Sequence, residues 1–167
     1  RFLNMTKSLK HTGRRTGAVL VSLLLLLTLA VSASAAAVKM TVGVRFWRES
    51  GDKESMADSA VDTTREATLT RQPNGTFTLE LPVKQLSSMN MTGRLTGIAI
   101  GEVNYDGTLS GDLSDGTAVL TLKNLPASVL TGSDSSKALA VTCSIKMDTI
   151  LLGDISTSAK MSIWVER

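Results

Sequence analysis

The sequence has few of the side chains that most often carry catalysis. Its 167 residues include one histidine, His11, and one cysteine, Cys143. Because His11 is the only one, residues 12–167 contain no histidine. That absence removes the commonest general base, the commonest zinc ligand and every Ser-His or Cys-His nucleophile pair. A lone cysteine also excludes an internal disulfide.

Aromatic residues are scarce as well, at 4% of the chain. After residue 35 they are Phe46, Trp47, Phe77, Tyr105 and Trp164. An enzyme built on paired carboxylates is formally open, but such pairs usually need aromatic and apolar pocket walls to tune their pKa values. We therefore rank enzymatic function behind non-enzymatic binding.

The chain opens with the features of an export signal. We expect Met5 to be the true start, with residues 1–4 upstream of it. The basic residues that follow are Lys7, Lys10, Arg14 and Arg15. The apolar run over 18–31 is shorter than the roughly 20 residues of a membrane span, and Ala33-Ser34-Ala35 fits a small-x-small cleavage site. We predict a signal peptide over 1–35; an uncleaved anchor is the alternative.

Removal of this leader reverses the charge of the chain. The full sequence carries +3, yet residues 1–35 hold five of its 18 Lys and Arg and none of its 15 Asp and Glu. The remaining residues, 36–167, therefore carry −2, and they are enough for one domain with its own core. A slightly acidic domain without a basic run argues against nucleic acid and anionic membrane surfaces as partners.

Residues 36–167 read as a series of short strands. Apolar side chains alternate with polar ones, which is the period-two pattern of a half-buried strand. The predicted inward rows are Val38, Met40, Val42, Val44 and Phe46; Phe77, Leu79, Leu81 and Val83; Leu139, Val141, Cys143, Ile145 and Met147; and Ala159, Met161, Ile163 and Val165. Cys143 thus lies in a core row, where a buried structural thiol is expected.

The spacing of these strands predicts the fold class. Strands recur at roughly 10-residue intervals, separated by turns such as "QPNG", with no long helical period. We predict an all-β fold: an immunoglobulin-like antiparallel β-sandwich of seven or eight strands, with a short helical turn after the first strand. The cysteine pair of classical immunoglobulin domains is missing.

Two tryptophans depart from the alternation. Trp47 and Trp164 fall on the polar faces of the first and last predicted strands. If those strands are neighbours, the two rings form a contact patch with Arg45 and Lys160 nearby. The alternative is that a loop covers each ring.

The stretch "SMADSAVD" interrupts the strand pattern. Ser55 is placed to cap a short helix, and Asp58 three residues later completes a capping-box pattern. On this interpretation the segment only connects two strands. A functional interpretation makes it the lip of a groove, where the Ser55 hydroxyl binds an anionic group and Met56 lies on a flat ring.

A first strand, then "SMADSAV", then the two strands of "EATLTRQPNGTFTLELPVK" resembles the opening half of the NEAT domain of Gram-positive surface proteins. That resemblance covers about residues 38–91 and implies a β-sandwich that binds haem or haemoproteins. It also implies roles for two residues: Ser55 would contact a haem propionate and Met56 would pack over the porphyrin.

The last hairpin departs from the NEAT pattern. The family holds haem iron with the first tyrosine of a Tyr-x-x-x-Tyr pair there, whereas "IKMDTILLGDISTSAKMSIW" contains no tyrosine. Tyr105 matches nothing in that motif. The remaining candidate iron ligands in the hairpin are the thioethers of Met147 and Met161.

A second possible cofactor, calcium, is suggested by Asp106, Asp112 and Asp115. Their spacing fits no EF-hand loop, so we interpret these residues as ordinary hairpin turns.

Two functions remain. The first is a secreted or cell-surface binding domain that takes haem or a haemoprotein between the Ser55-Met56 turn and the last hairpin. The second is an adhesive module that contacts another surface or host protein through Trp47 and Trp164. In neither does the domain insert into a membrane once the signal is removed.

Overall fold

The alternating segments form strands joined by short turns. The computed structural model describes residues 36–88, 90–149 and 153–167; the predicted signal peptide and residues 150–152 of the last hairpin lie outside them. The strands are β1 (Val38–Arg48), β2 (Ala67–Arg71), β3 (Phe77–Pro82), β4 (Leu86–Ser88), β5 (Met91–Ile100), β6 (Val103–Asp106), β7 (Thr108–Ser110), β8 (Val119–Leu125), β9 (Leu139–Met147) and β10 (Asp154–Val165). Three 3₁₀ helices span Met56–Ala60, Ala127–Val129 and Ser135–Lys137.

All strand pairs are antiparallel, and β1 is shared between the two layers of the sandwich. Its first half pairs with β2 from Val38 to Val42, and its second half pairs with β10 from Val42 to Arg48. One layer therefore runs β4-β5-β9-β10-β1, with β6 also on β5, and the other runs β1-β2-β3-β8-β7. The fold is an all-β, immunoglobulin-like antiparallel β-sandwich, as the sequence predicts.

The described residues form ten strands, where seven or eight were predicted for the domain. The difference comes from β4, β6 and β7, which have only three or four residues each. Segments that short show too few alternations for a period-two pattern to be visible in the sequence. The longer strands, which carry most of the core, follow the predicted pattern.

The predicted inward rows fill one core between the layers. Phe46, Leu79 and Ile145 are among the fully enclosed side chains. Two members of the predicted rows are wrong: Val38 is 53% exposed and Val165 is 48% exposed. Both lie at strand ends, beyond the region where the opposite layer covers the strand.

The first 3₁₀ helix closes one end of the sandwich. It contacts β1 at one edge of its layer and β4 and β5 at the other. Ala57 and Ala60 are fully buried on its inner side, where small side chains let the helix approach the strands closely. The predicted helical turn after β1 is therefore present, in the tighter 3₁₀ form.

Candidate functional site

The chain reverses direction after β1 and lies back along its edge. The backbone N–H of Arg48 donates to the carbonyl of Lys53 over 2.7 Å, and that of Ser55 donates to the carbonyl of Phe46 over 2.9 Å. Trp47 and Glu54 form a bridge between these two bonds. The Ser55-Met56 turn is thus attached to the second half of β1 by main-chain hydrogen bonds.

The predicted capping box is wrong, because Asp58 has a different partner. Ser55 makes no side-chain capping bond to the helix. The Oδ1 of Asp58 instead accepts a 2.7 Å hydrogen bond from the backbone N–H of Phe46, in a buried setting. This bond satisfies an N–H of β1 that no neighbouring strand reaches, and it fixes the helix to the strand. The sequence gives no signal for it, since the two residues are twelve positions apart.

Burial of Asp58 raises the pKa of its carboxyl group. Desolvation is the main cause and the nearby Glu54 adds to it, while the bond from Phe46 and the charges of Arg45 and Lys84 act in the opposite direction. A carboxylate in this position costs free energy when ionised. The hydrogen bond from the backbone N–H of Phe46 offsets part of that cost.

The removal of Ser55 from its capping role leaves its hydroxyl without a partner. Ser55 is only 8% exposed, and its Oγ makes no hydrogen bond to any described residue. The next residue, Met56, is 37% exposed. Buried hydroxyl groups in proteins are normally hydrogen-bonded, so the unpaired Ser55 hydroxyl beside the exposed thioether is an unusual feature of this turn.

The two hairpin methionines face inward. Met161 is fully enclosed and pairs with Phe46 on one side and Leu139 on the other. Met147 is 8% exposed and lies at the other end of β9, opposite Gly93 of β5. Neither thioether is presented to solvent as an iron ligand would be. Tyr105, the only phenol, lies in β6 opposite Ile98 and is not part of the last hairpin.

The tryptophans lie on one outer face, on adjacent strands. Trp164 is paired with Gly43, and a Cβ on that glycine would lie 2.2 Å from the Trp164 ring, so the indole covers the bare backbone. The Nε1 of Trp47 donates to the Oγ of Ser162 over 2.9 Å. Both rings are partly exposed. The two rings therefore share one outer face of β1 and β10, and their role as a contact patch stays a prediction.

Two cations accompany these rings. The Arg45 guanidinium lies 5.6 Å from the centre of the Trp47 ring and forms a 2.8 Å ion pair with Glu54. Lys160 stands opposite Trp47, and its Nζ donates to the carbonyl of Gly51. We call Arg45, Trp47, Lys160 and Trp164 the tryptophan face. The loop before the Ser55-Met56 turn runs beside this face and covers it only in part.

A cleft borders the tryptophan face where β1 leaves β2. Its volume is ≈ 210 Å³, and its walls include Val42, Val44, Arg65 and Trp164. Arg65 is held there by its own hydrogen bonds to the carbonyls of residues 116–118. The gap follows from the sharing of β1, because the strand must part from β2 before it joins β10.

Three further groups behave as structural elements. The Oδ1 of Asp112 accepts from Ser114, and that of Asp115 accepts from Thr117, as in tight turns. Burial raises the pKa of the Cys143 thiol to about 12, which keeps it protonated and unreactive. In the part of the chain that the structure describes, no three carboxylate, cysteine or histidine side chains are grouped to hold a metal ion.

Comparison with known proteins gives a likeness of fold alone. No family model and no curated protein matches the sequence. Two solved structures are similar: the NEAT5 domain of IsdX2, a hemophore of B. anthracis, in complex with haem, and a mutant of the same domain with haem. Each has 12% identity and a TM-score of 0.50, and each match covers 79% of this chain and 99% or 98% of the other. The fold is therefore NEAT-like.

One finding bears on membranes. Across residues 36–88, 90–149 and 153–167, no helix has both the length and the apolar character needed to cross a bilayer.

Proposed function

We propose that residues 36–167 form an exported, non-enzymatic binding domain whose ligand site is bordered by the Ser55-Met56 turn. The observation that carries this proposal is the buried Ser55 hydroxyl without a hydrogen-bond partner, next to the exposed side chain of Met56. A ligand with an anionic or carbonyl oxygen would satisfy the hydroxyl, and a flat apolar body would cover the thioether. A tetrapyrrole such as haem has both features.

The last hairpin does not fit side-chain ligation of haem iron. The last hairpin has no tyrosine, and the thioethers of Met147 and Met161 are buried. We therefore expect the ring and its propionates, rather than the iron, to supply most of the affinity. In this respect the domain differs from the tyrosine-ligating pattern that the NEAT resemblance implies.

A comparison of haemin with iron-free protoporphyrin tests this function. Both tetrapyrroles are titrated into purified residues 36–167 and followed by absorbance and by quenching of tryptophan fluorescence. We expect the two to bind with the same affinity, because the iron contributes no bond. If neither tetrapyrrole binds, the tetrapyrrole proposal is wrong. If haemin binds and protoporphyrin does not, a side chain does ligate the iron.

Substitutions in the turn locate the site. Ser55→Ala should weaken porphyrin binding by about fivefold, for the loss of one hydrogen bond. Met56→Ala should also weaken it, because the apolar contact of the thioether with the ring is lost. Ser59→Ala is the matched control, because its hydroxyl lies on the same helix but already donates to the carbonyl of Met56. Equal affinities in all three variants would move the site away from this turn.

The tryptophan face supports a second candidate function, contact with another protein. Tryptophan and arginine are the side chains most enriched at the centres of protein interfaces, and here they adjoin a cleft. Haemoglobin serves as the haemoprotein probe, and sedimentation velocity of the domain alone reports self-association. We expect Trp47→Ala to abolish whichever association the wild type shows. Lys146→Ala, which changes an exposed side chain of β9, should leave that association intact. A wild-type domain that stays monomeric and does not bind haemoglobin would remove this candidate.

Export is tested directly on the secreted protein. If residues 1–35 are a signal peptide, N-terminal sequencing of material from the culture medium should begin at Ala36. A mature protein that still contains the apolar run would support the anchor alternative.

A further inference from the structure

Two polar clefts adjoin each other on the side of the molecule formed by β6, β8 and the β2–β3 turn. The first, of ≈ 350 Å³, lies between β6 and β8. The second, of ≈ 470 Å³, lies between the β2–β3 turn and the end of β8. Lys123 and Asn124 line both of them, so the two clefts meet at the end of β8; together we call them the groove.

The topology explains why this groove is open. β6 pairs with β5 in one layer, whereas β8 belongs to the other, and the chain crosses between layers at Gly107. The strands β6 and β8 are close together but share no ladder. The surface between them is therefore covered by side chains alone.

An irregularity in β8 lies where the two clefts meet. The register of β8 against β3 shifts between Phe77 and Leu79, which is the signature of a bulge. Asn124 lies opposite this shift with a φ of 61°, a left-handed conformation that is uncommon for a residue other than glycine. Such conformations are often found at functional sites, because the surrounding structure must hold them in place.

The lining of the groove is neutral and rich in groups that both donate and accept hydrogen bonds. In the first cleft these side chains include Asn104, Thr108, Thr121 and Asn124. In the second cleft, Gln72 already donates to Thr78 and Asn74 accepts from Thr76, so part of that lining is satisfied within the protein. One acid, Asp106, is balanced by one base, Lys123. Apolar surface is supplied by Val103, which is 54% exposed, and by Pro73. A ligand that matches this lining carries many uncharged hydroxyl groups and apolar C–H faces.

We propose that this groove binds a neutral oligosaccharide. Sugar hydroxyls both donate and accept, as the amides of Asn104 and Asn124 do, and the C–H face of a sugar ring suits the exposed apolar surface of Val103 and Pro73. Because the groove continues across Lys123 and Asn124, several linked sugar units fill it better than one. Charge plays little part, since the lining carries no net charge.

The groove is separate from the Ser55-Met56 turn. The β2–β3 turn lies at the far end of β2 from the loop that follows the 3₁₀ helix. Binding of an oligosaccharide and binding of a tetrapyrrole are therefore independent, and either can fail without the other.

An NMR titration tests the proposal on the domain over residues 36–167. ¹⁵N-labelled protein is titrated with maltotetraose, cellotetraose and tetra-N-acetylchitotetraose, each alongside its monosaccharide and a heparin tetrasaccharide. We expect at least one neutral tetrasaccharide to shift the amide signals of Asn104, Tyr105 and Lys123, more tightly than its monosaccharide. Three results would each overturn the proposal: no shift with any neutral tetrasaccharide at millimolar concentration, shifts confined to other surfaces, or preferential binding of the heparin probe.

A matched pair of variants separates the Asn124 side chain from its backbone. Asn124→Gly retains the left-handed conformation at no steric cost but removes the amide. It should weaken tetrasaccharide binding by about fivefold to tenfold, the loss of one or two hydrogen bonds. Asn90→Gly is the control, because Asn90 also has a positive φ, of 64°, and lies outside the groove. If both glycine variants bind like the wild type, the amide of Asn124 does not contact a sugar and the proposed groove is wrong.

Discussion

The turn after β1 and the last hairpin both contain methionine, but they differ in whether its side chain is exposed. In the turn, Met56 reaches the surface and Ser55 holds an unpaired hydroxyl; in the hairpin, Met147 and Met161 are buried and no phenol is present. The turn therefore has the features of a ligand site that the NEAT resemblance implies, and the hairpin lacks its iron ligand.

The contrast between Met56 and Met161 has a simple geometric origin. Successive side chains of a strand point to opposite faces, so Met161, two residues from Ala159 and Ile163 in a buried row, must face the core. Met56 begins a 3₁₀ helix whose inner side is already filled by Ala57 and Ala60. The same thioether is therefore packing material in one region and contact surface in the other.

The largest expected effect tests that contrast. Met161→Ala should lower the free energy of unfolding by about 2–5 kcal/mol, because it opens a cavity in a tightly packed core. Met56→Ala should change it by less than about 0.5 kcal/mol, as expected for an exposed side chain. Urea unfolding followed by tryptophan fluorescence measures both.

Met161→Leu is the control for this pair, since it nearly preserves volume and should cost less than about 1.5 kcal/mol. It should also leave haemin affinity unchanged. A selective loss of haemin affinity in Met161→Leu, with protoporphyrin affinity retained, would mean that this buried thioether does reach the iron.

A smaller effect is expected where the turn is fixed to β1. Asp58→Ala leaves the buried N–H of Phe46 without an acceptor and should cost about 1–3 kcal/mol. Asp58→Asn retains an oxygen acceptor without the charge and should cost less. Equal destabilisation by both variants would show that the negative charge, rather than the hydrogen bond, fixes the turn.

The same aspartate makes a pH dependence testable. Burial raises the pKa of Asp58, so the folded state binds its proton more tightly than the unfolded state does. The stability of the wild type should therefore fall relative to Asp58→Asn as pH rises from the ordinary carboxyl pKa through the raised one. Unfolding curves collected from pH 3 upward measure the difference; a difference that does not change with pH would contradict a raised pKa.

The smallest expected effect concerns Ser55. Because its hydroxyl is buried without a partner, Ser55→Ala should leave stability unchanged or raise it by up to about 1 kcal/mol. The same variant should weaken porphyrin binding, so stability and affinity change in opposite directions. A clear loss of stability in the ligand-free domain would show that the hydroxyl has a structural role instead.

Much of the fold could be predicted from the sequence because strand patterns are local. The rows ending in Phe46, Val83, Met147 and Ile163 were visible as alternations, and so was the placement of Cys143 in the core. The short strands β4, β6 and β7 were not visible, since three or four residues show too little periodicity. Val38 and Val165 were misplaced because alternation identifies a face of a strand but not where the opposite layer ends.

The candidate sites also differ in how much of each could be predicted from the sequence. The Ser55-Met56 turn is recognisable from its sequence. That Asp58 accepts from Phe46, and that Ser55 makes no capping bond, depends on the neighbouring edge of β1. The groove over β8 is lined by three segments that are far apart in the chain, so no local sequence motif predicts it. The placement of Trp47 and Trp164 on one face requires β1 and β10 to be neighbours. The sequence pattern alone does not show that they are.

The sequence by itself determined the all-β class, the main inward rows and the lack of histidine and hairpin tyrosine, because composition and period-two alternation are properties of the chain. Tertiary structure alone decided that Asp58 bonds to Phe46, that Ser55 is left unpaired, that Trp164 covers Gly43, and that the hairpin thioethers are enclosed. Each of these depends on contact between residues distant in sequence, and such contacts are settled only when the strands pack together.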